Sequence, residues 1–279
     1  MSSAAIIPVA LAAAIVNGGL GYGFSSITVP LALLFLSNRV LNPALVPIEV
    51  ALNAYVLWMN RAALPAVARR LWPVVLGIVP GVVAGTVVVV RVSPSWLKLA
   101  TYLALLPLIL MQAAGRRRPV RSERSAGSLF GAGLGALYSI TTISGPPLAV
   151  ALNNQGFAKD EFRAALGCVR LTESTLTAIA YLVAGLFTRE SVALIPAILP
   201  AVLVGVPIGG LLIRRVRPET FRRVCMSFDA WVVAFGISML LGDLGILDRR
   251  GAFVVLGAVG AYDALLLYRY FGTLRRSRA

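Results

Sequence analysis

Long runs of apolar residues, separated by short polar or glycine- and proline-rich breaks, dominate the chain. Several of these runs approach the roughly 20 residues that a helix needs to cross the hydrocarbon core of a membrane. The pattern predicts eleven helical segments, at residues 4–16, 24–36, 44–63, 71–90, 96–113, 126–138, 145–153, 162–186, 190–213, 220–241 and 251–271. We therefore expect an all-α polytopic membrane protein.

Several motifs recur in the same order in both halves, which indicates an internal duplication. Glu49 and the five residues after it resemble the six residues from Glu173, 124 positions later. The same shift relates Gly81 to Gly205, and duplication is common among secondary transporters. The predicted organisation is a first membrane repeat at 1–113, a basic linker at 114–125, a second repeat at 126–241, and an extra C-terminal helix with a basic tail at 242–279.

The distribution of basic residues predicts the topology. If every segment reverses direction and the C-terminus is cytoplasmic, 19 of the 26 Lys and Arg residues fall on the cytoplasmic side. This bias is the one that the positive-inside rule describes. Five segments per repeat is an odd number, so the two repeats are predicted to lie inverted in the membrane. We expect a multi-pass protein of the bacterial inner membrane.

Each repeat is predicted to begin with a broken-helix or re-entrant hairpin, followed by three transmembrane helices. Segments 4–16 and 24–36 reach only about 20 Å at 1.5 Å per residue, and 145–153 is shorter still. The hairpin tips are rich in glycine, proline and hydroxyl groups. A half-helix N-terminus at such a tip would offer N–H groups and partial positive charge to an anion.

The tips supply most of the candidate substrate-binding residues, which are Ser25, Ser26, Thr28, Thr141, Thr142, Ser144 and Gly145. Ser144 is also placed to cap the helix that begins at the prolines after it. In the alternative interpretation, the glycines only permit close helix packing and the serines bond back to their own backbone. Asn153 either lines the same cavity or makes an interhelical hydrogen bond.

Charged residues within apolar segments are costly and often functional. Glu49 and Glu173 are related by the repeat and are predicted to couple transport to protons. Arg170 lies three residues before Glu173, so we expect an ion pair between them and an anion contact for Arg170. The alternatives are a structural salt bridge and, for Glu49, a first-turn acid that favours the helix dipole. Asp229 and Asp263 have no evident partner, and Asp263 is predicted to contact headgroups or another chain.

Composition narrows the functional classes. The chain is 58% hydrophobic and 13% charged, whereas a soluble domain carries roughly 25% charged residues. The net charge is +15, and the basic residues responsible for it lie at the ends of apolar runs, so we do not expect nucleic-acid binding. With no histidine and two cysteines, we expect neither a metal nor another cofactor, and proton coupling would fall to carboxylates. The sequence contains no Ser/His pair and no nucleotide-binding loop that would suggest an enzyme.

The two tips resemble those of the TauE/SafE family of sulfite exporters and related organosulfur-anion permeases. The resembling residues are Gly18–Pro30, and Ser144–Pro147 leading to Gly156–Arg163. The resemblance implies a duplicated permease that moves sulfite, sulfonates or organosulfur carboxylates. The expected partners are a small anion and the lipid bilayer, with a homo-oligomer possible. The alternatives are a membrane-embedded enzyme or accessory subunit, and an anion channel.

Overall fold

The computed structural model describes residues 3–20, 23–114, 124–154, 157, 159–212 and 218–276. Each of the eleven predicted segments overlaps one α-helix, and the described residues contain no strand. The prediction of an all-α protein is therefore confirmed. The helices are α1 Ser3–Leu20, α2 Phe24–Ala32, α3 Asn38–Met59, α4 Leu64–Arg91, α5 Pro94–Ala114, α6 Arg124–Thr141, α7 Gly145–Asn154, α8 Lys159–Val183, α9 Arg189–Leu212, α10 Pro218–Asp243 and α11 Arg249–Arg276.

Six of the described helices are long and apolar enough to cross a membrane, namely α3, α4, α8, α9, α10 and α11. Large apolar side chains such as Trp72, Leu182 and Leu203 are exposed on their outer surfaces, where only lipid would suit them. The protein is therefore a multi-pass membrane protein. Helices α2 and α7 have 9 and 10 residues, too few to cross, whereas their partners α1 and α6 have 18 residues each and are longer than predicted.

The two halves of the chain interlock through exchanged helices. Helix α1 packs along α9, and α6 packs along α4; these are the most extensive helix contacts in the structure. In the predicted repeat, α6 corresponds to α1 and α9 corresponds to α4. Helix α3 packs against its counterpart α8, and α5 against its counterpart α10. These pairings are those expected of two halves related by a two-fold axis, and the inverted orientation in the membrane stays a prediction.

Glycines allow the exchanged helices to approach closely. A Cβ atom added to Gly81 of α4 would overlap the carbonyl oxygen of Ala132 in α6. In the other half, a Cβ on Gly209 of α9 would overlap the carbonyl oxygen of Ile15 in α1. Gly18, in the first tip, meets Val206 of α9 in the same way, so the packing interpretation holds for this tip glycine. Gly23 is different, because its φ of 108° requires glycine before α2.

The extra helix α11 packs mainly on α10. Asp263 of α11 was predicted to contact headgroups or another chain, and this prediction was wrong. The side chain is fully buried and accepts hydrogen bonds from Ser227 Oγ at 2.9 Å and Trp231 Nε1 at 3.1 Å, both on α10. Both partners lie on the neighbouring helix α10, and local sequence patterns do not predict contacts between helices.

We expect Gly81→Ala to destabilise the protein and Gly133→Ala to leave it unchanged or slightly more stable. The added methyl group of Gly81→Ala forces α4 away from α6, and overpacking typically costs about 1–3 kcal/mol. Gly133 is an exposed position of α6 with no atom within 4 Å of an added Cβ, so there the methyl group only improves helix propensity. Thermal unfolding of the purified variants in detergent measures both effects. Equal unfolding temperatures would contradict the close-packing argument.

Candidate functional site

Helices α3 and α8 carry three charged residues into the interior. Glu49, Arg170 and Glu173 are 1%, 4% and 0% exposed. Because α3 begins at Asn38, six residues before its predicted start, Glu49 lies about three turns inside the helix. The interpretation of Glu49 as a first-turn acid was therefore wrong. Charges at such depth need partners within the protein.

Arg170 forms its ion pair with Glu49. The distance from Arg170 Nη2 to Glu49 Oε2 is 2.5 Å. The predicted pair with Glu173 was wrong: although Glu173 is one turn away on α8, the guanidinium extends across to α3. This buried salt bridge joins two helices that correspond in the predicted repeat.

Each glutamate accepts a hydrogen bond from a serine at the start of a short helix. Ser25, in the first turn of α2, donates to Glu49 Oε1 at 2.6 Å. Ser144, immediately before α7, donates to Glu173 Oε2. The predicted capping role of the Ser144 hydroxyl was wrong, because Pro146 and Pro147 in the first turn of α7 have no N–H to donate to it, although the Ser144 backbone carbonyl accepts from Leu148 N. The two repeats thus present similar serine–glutamate pairs.

Tyr138 completes the shell of Glu49 and was not predicted. Its hydroxyl donates to Glu49 Oε2 at 3.2 Å from the last turn of α6, and the side chain is fully buried. Glu49 therefore accepts hydrogen bonds from α2, α6 and α8 together. The available signal was that Tyr138 directly precedes the hydroxyl-rich stretch 139–144 before α7.

The threonines of the second tip form hydrogen bonds within the turn between α6 and α7. Thr141 Oγ1 donates to the carbonyl of Leu137 at 2.7 Å and accepts from Ile143 N at 3.0 Å. Thr142 has a φ of 56°, rare for a β-branched residue, and its hydroxyl donates to the carbonyl of Thr141 at 2.7 Å. The hydroxyls of these two predicted substrate contacts therefore bond to the local backbone, whereas the alternative expected this of the serines, and Ser25 and Ser144 donate to glutamates.

Side chains from other helices satisfy the carbonyls where α6 ends inside the protein. Asn42 Nδ2 donates to the carbonyl of Ile140 at 2.7 Å, and the Tyr181 hydroxyl donates to the carbonyl of Ser139. Asn38 adds a longer bond of 3.4 Å to Ile140. A helix end leaves such carbonyls without intrahelical partners, so these donors hold the broken helix in place. None of these three donors was predicted from the sequence, although Asn38 and Asn42 share one face of α3.

Several buried polar atoms of the site have no hydrogen-bond partner among the described residues. They are Thr28 Oγ1 on α2, Asn53 Nδ2 on α3, and Arg170 Nε and Glu173 Oε1 on α8. Such groups are costly to bury and are available to a ligand or water. Of the other predicted contacts, Ser26 and Gly145 are buried beside the short-helix starts, and the side chain of Asn153 lies outside what the structure describes.

The charges of the site do not balance. Two carboxylates share one guanidinium, so the fully ionised set carries one excess negative charge in a dry environment. A proton on either glutamate would neutralise it. No group of three or more Cys, Asp or Glu side chains capable of holding a metal occurs among the described residues. The arrangement is suited to binding protons and an anion together.

Most of the chain matches the model of one known protein family. The model of the family described as "Sulfite exporter TauE/SafE" matches residues 6–239, which run from α1 nearly to the end of α10. Comparisons with curated proteins and with solved structures gave no match.

We expect Arg170→Gln to unfold at a much lower temperature than the unmodified protein, because it leaves Glu49 buried without its counter-ion. Removing one partner of a buried pair typically costs about 3–5 kcal/mol. The double variant Glu49→Gln/Arg170→Gln has no buried charge at this pair and should recover part of the loss. Thermal unfolding in detergent is the measurement, and Glu190→Gln, at an exposed acid of α9, is the control. If Arg170→Gln unfolds with the control, the pair does not have this structural role.

Proposed function

The chain belongs to the sulfite exporter TauE/SafE family, and on this basis we propose that it is a secondary transporter of small anions such as sulfite, sulfonates or organosulfur carboxylates. We place it in the bacterial inner membrane with a cytoplasmic C-terminus, and we assign it no enzymatic activity. The observation that carries the proposal is the buried set of Glu49, Arg170 and Glu173 beside the starts of α2 and α7. This set combines proton acceptors with donors to an anion.

The anion would lie between the two short helices. Arg170 Nε has no partner among the described residues and can donate to an oxyanion, as can the unpartnered Thr28 hydroxyl. The N-termini of α2 and α7 add partial positive charge at the same place. Ser25 and Ser144 are at these N-termini, but their hydroxyl protons are directed to the glutamates.

Protonation of Glu173 would favour anion binding in two ways. An anion entering the fully ionised set meets its excess negative charge, whereas a proton on Glu173 makes the set neutral. A protonated Glu173 also no longer requires the Ser144 hydrogen bond, so the hydroxyl can turn and donate to the anion. Because both effects favour the anion only after protonation, we propose that Glu173, with Glu49, couples anion transport to protons.

We expect purified protein in liposomes to take up labelled sulfite in a saturable manner, faster under an imposed pH gradient. Glu173→Gln should weaken the response to the gradient, because the amide cannot exchange a proton. Ser144→Ala should raise KM at least about tenfold, the equivalent of one hydrogen bond to a charged group of about 1.5 kcal/mol. Glu190→Gln, exposed on α9, is the matched control.

Other outcomes of this experiment identify the alternatives. Flux that does not saturate would favour a channel. No flux of any tested anion by folded protein would favour a membrane-embedded enzyme or accessory subunit. Normal flux in both Glu173→Gln and Ser144→Ala would contradict the site assignment while leaving the transporter intact.

Unequal packing of related helices supports alternating access. A groove of about 290 Å³ lies between α3 and α9, with Leu52 and Val202 among its lining residues. The corresponding helices in the other half, α8 with Leu176 and α4 with Ile78, pack against each other more extensively than α3 and α9 do. If the halves exchange these arrangements, the groove closes while the packed interface opens. The site between α3 and α8 would then face each side of the membrane in turn.

Cysteine pairs at these positions test the exchange. In a background without Cys168 and Cys225, the pair Ile78→Cys/Leu176→Cys should cross-link readily with a short bifunctional reagent. Sulfite and a pH gradient should slow this cross-link and accelerate that of Leu52→Cys/Val202→Cys. Either cross-link should stop flux, and reduction of a cleavable reagent should restore it. Flux that continues with both pairs joined would overturn the exchange.

A further inference from the structure

Asp229 of α10 is a buried carboxylate that the site described above does not use. Its side chain is 0% exposed, and neither Oδ1 nor Oδ2 has a hydrogen-bond partner among the described residues. It shares a buried face of α10 with Met226 and Val233, inside the main hydrophobic cluster. The contrast with Asp263, which is buried but bonded to two donors, shows that Asp229 is exceptional within this helix pair.

The depth of Asp229 follows from its neighbours. An added Cβ on Gly236, seven residues after Asp229, would strike the ring of Tyr102, whose hydroxyl donates to the carbonyl of Pro30 in α2 at 2.9 Å. Farther along, Leu33 after α2 and Leu240 of α10 line one cavity. Helices α2 and α10 therefore run side by side in the same direction.

Asp229 lies seven residues before Gly236 on α10, and Gly23, where α2 begins, lies seven residues before Pro30. Seven residues of helix are about 10 Å long. Asp229 is therefore at the same level as Gly23. Two residues later, Ser25 donates to Glu49. The start of α2 thus has the Glu49 carboxylate on one side and, at similar depth, the Asp229 carboxylate on α10, which also packs against α2.

Among the side chains that the structure describes, none near Asp229 offers it a counter-ion. Helices α1 and α2 contain no titratable side chain, and α5 contributes only Lys98 and Tyr102. Lys98 lies with Asp243 at the far end of α10, and Tyr102 donates to Pro30. The titratable residues of α11 approach the opposite face, where Ser227 and Trp231 bind Asp263. On α10 itself, the Cys225 thiol is one turn away.

An ionised carboxylate in such a place would lose its hydration without receiving a hydrogen bond or a positive charge. That cost is far greater than the cost of burying a neutral carboxylic acid. We propose that Asp229 is a second proton-binding site, separate from the Glu49–Arg170–Glu173 set, and that it carries a proton in the conformation described here.

A cavity approaches Asp229 from the C-terminal end of α10. It has a volume of about 120 Å³, and Lys98, Asp243, Tyr102 and Gly236 are among its lining residues. Only the two turns of α10 that contain Ala230 and Val233 separate its floor from Asp229. Proton exchange through this cavity requires the packing of these two turns to open, and it would connect Asp229 with the surface at the C-terminal end of α10, the side that the basic residues predict to be external. Its contribution to coupling rests on the proposed function, whereas the presence of the proton does not.

Infrared spectroscopy of the full chain in liposomes tests the proton directly. The unmodified protein should show a carbonyl band of a protonated carboxylic acid that shifts in D2O. Protein labelled with ¹³C at the aspartate carboxyl carbon should show that band moved to lower frequency, which assigns it to aspartate rather than glutamate. Asp229→Asn should lose the band and Asp263→Asn should keep it. A spectrum in which no protonated-acid band responds to aspartate labelling would overturn the proposal, and this arm requires no folded variant.

Transport tests the coupling separately. With sulfite uptake and internal pH recorded together, Asp229→Asn should move one fewer proton per anion with an unchanged KM for sulfite, whereas Asp263→Asn should keep the original ratio. An unchanged ratio in Asp229→Asn would overturn the coupling role even where the infrared band assigns the proton. If unmodified protein moves no anion, the proposed function fails, and the infrared result still decides whether Asp229 holds a proton.

Discussion

The ion pair between Arg170 and Glu49 is the interaction on which the centre of the molecule depends. It crosses from α8 to α3, the related helices that pack at the middle of the structure, and neither charge reaches solvent. Ser25 and Tyr138 donate to the same carboxylate, so the short helix α2 and the end of α6 are attached to it as well. Removing the pair would release contacts of four helices at one point.

Broken helices are possible here because the protein itself replaces the hydrogen bonds that water would supply. Within a membrane an unsatisfied backbone group costs several kcal/mol, so irregular backbone needs dedicated partners. Asn42 and Tyr181 provide donors for the end of α6, and Thr141 bridges the turn that follows. The glycines of α4 and α9 bring the helices close enough to enclose these turns. Packing and polar satisfaction thus depend on each other.

The sequence predicts the parts of this arrangement that local patterns determine. Hydropathy locates all eleven helices, and the cost of charge in a membrane singles out Glu49, Arg170 and Glu173. The partner of Arg170 is missed because the rule for residues three apart considers one helix, whereas a long guanidinium also reaches the next one. Tyr138, Asn38 and Asn42 look ordinary in the sequence, since their importance arises only from the unpaired groups that folding places beside them.

The repeat is unequal at the position that matters most to the proposed mechanism. Glu49 and Glu173 correspond, but the position of Arg170 corresponds to Val46, so one guanidinium serves two related glutamates. Arg170 can therefore neutralise only one of them, and the structure has it on Glu49 while Ser144 serves Glu173. In the proposed cycle the glutamate without the arginine is the one that needs a proton before an anion can enter. Within that proposal, the asymmetry of a single residue gives different tasks to two carboxylates that the predicted repeat relates.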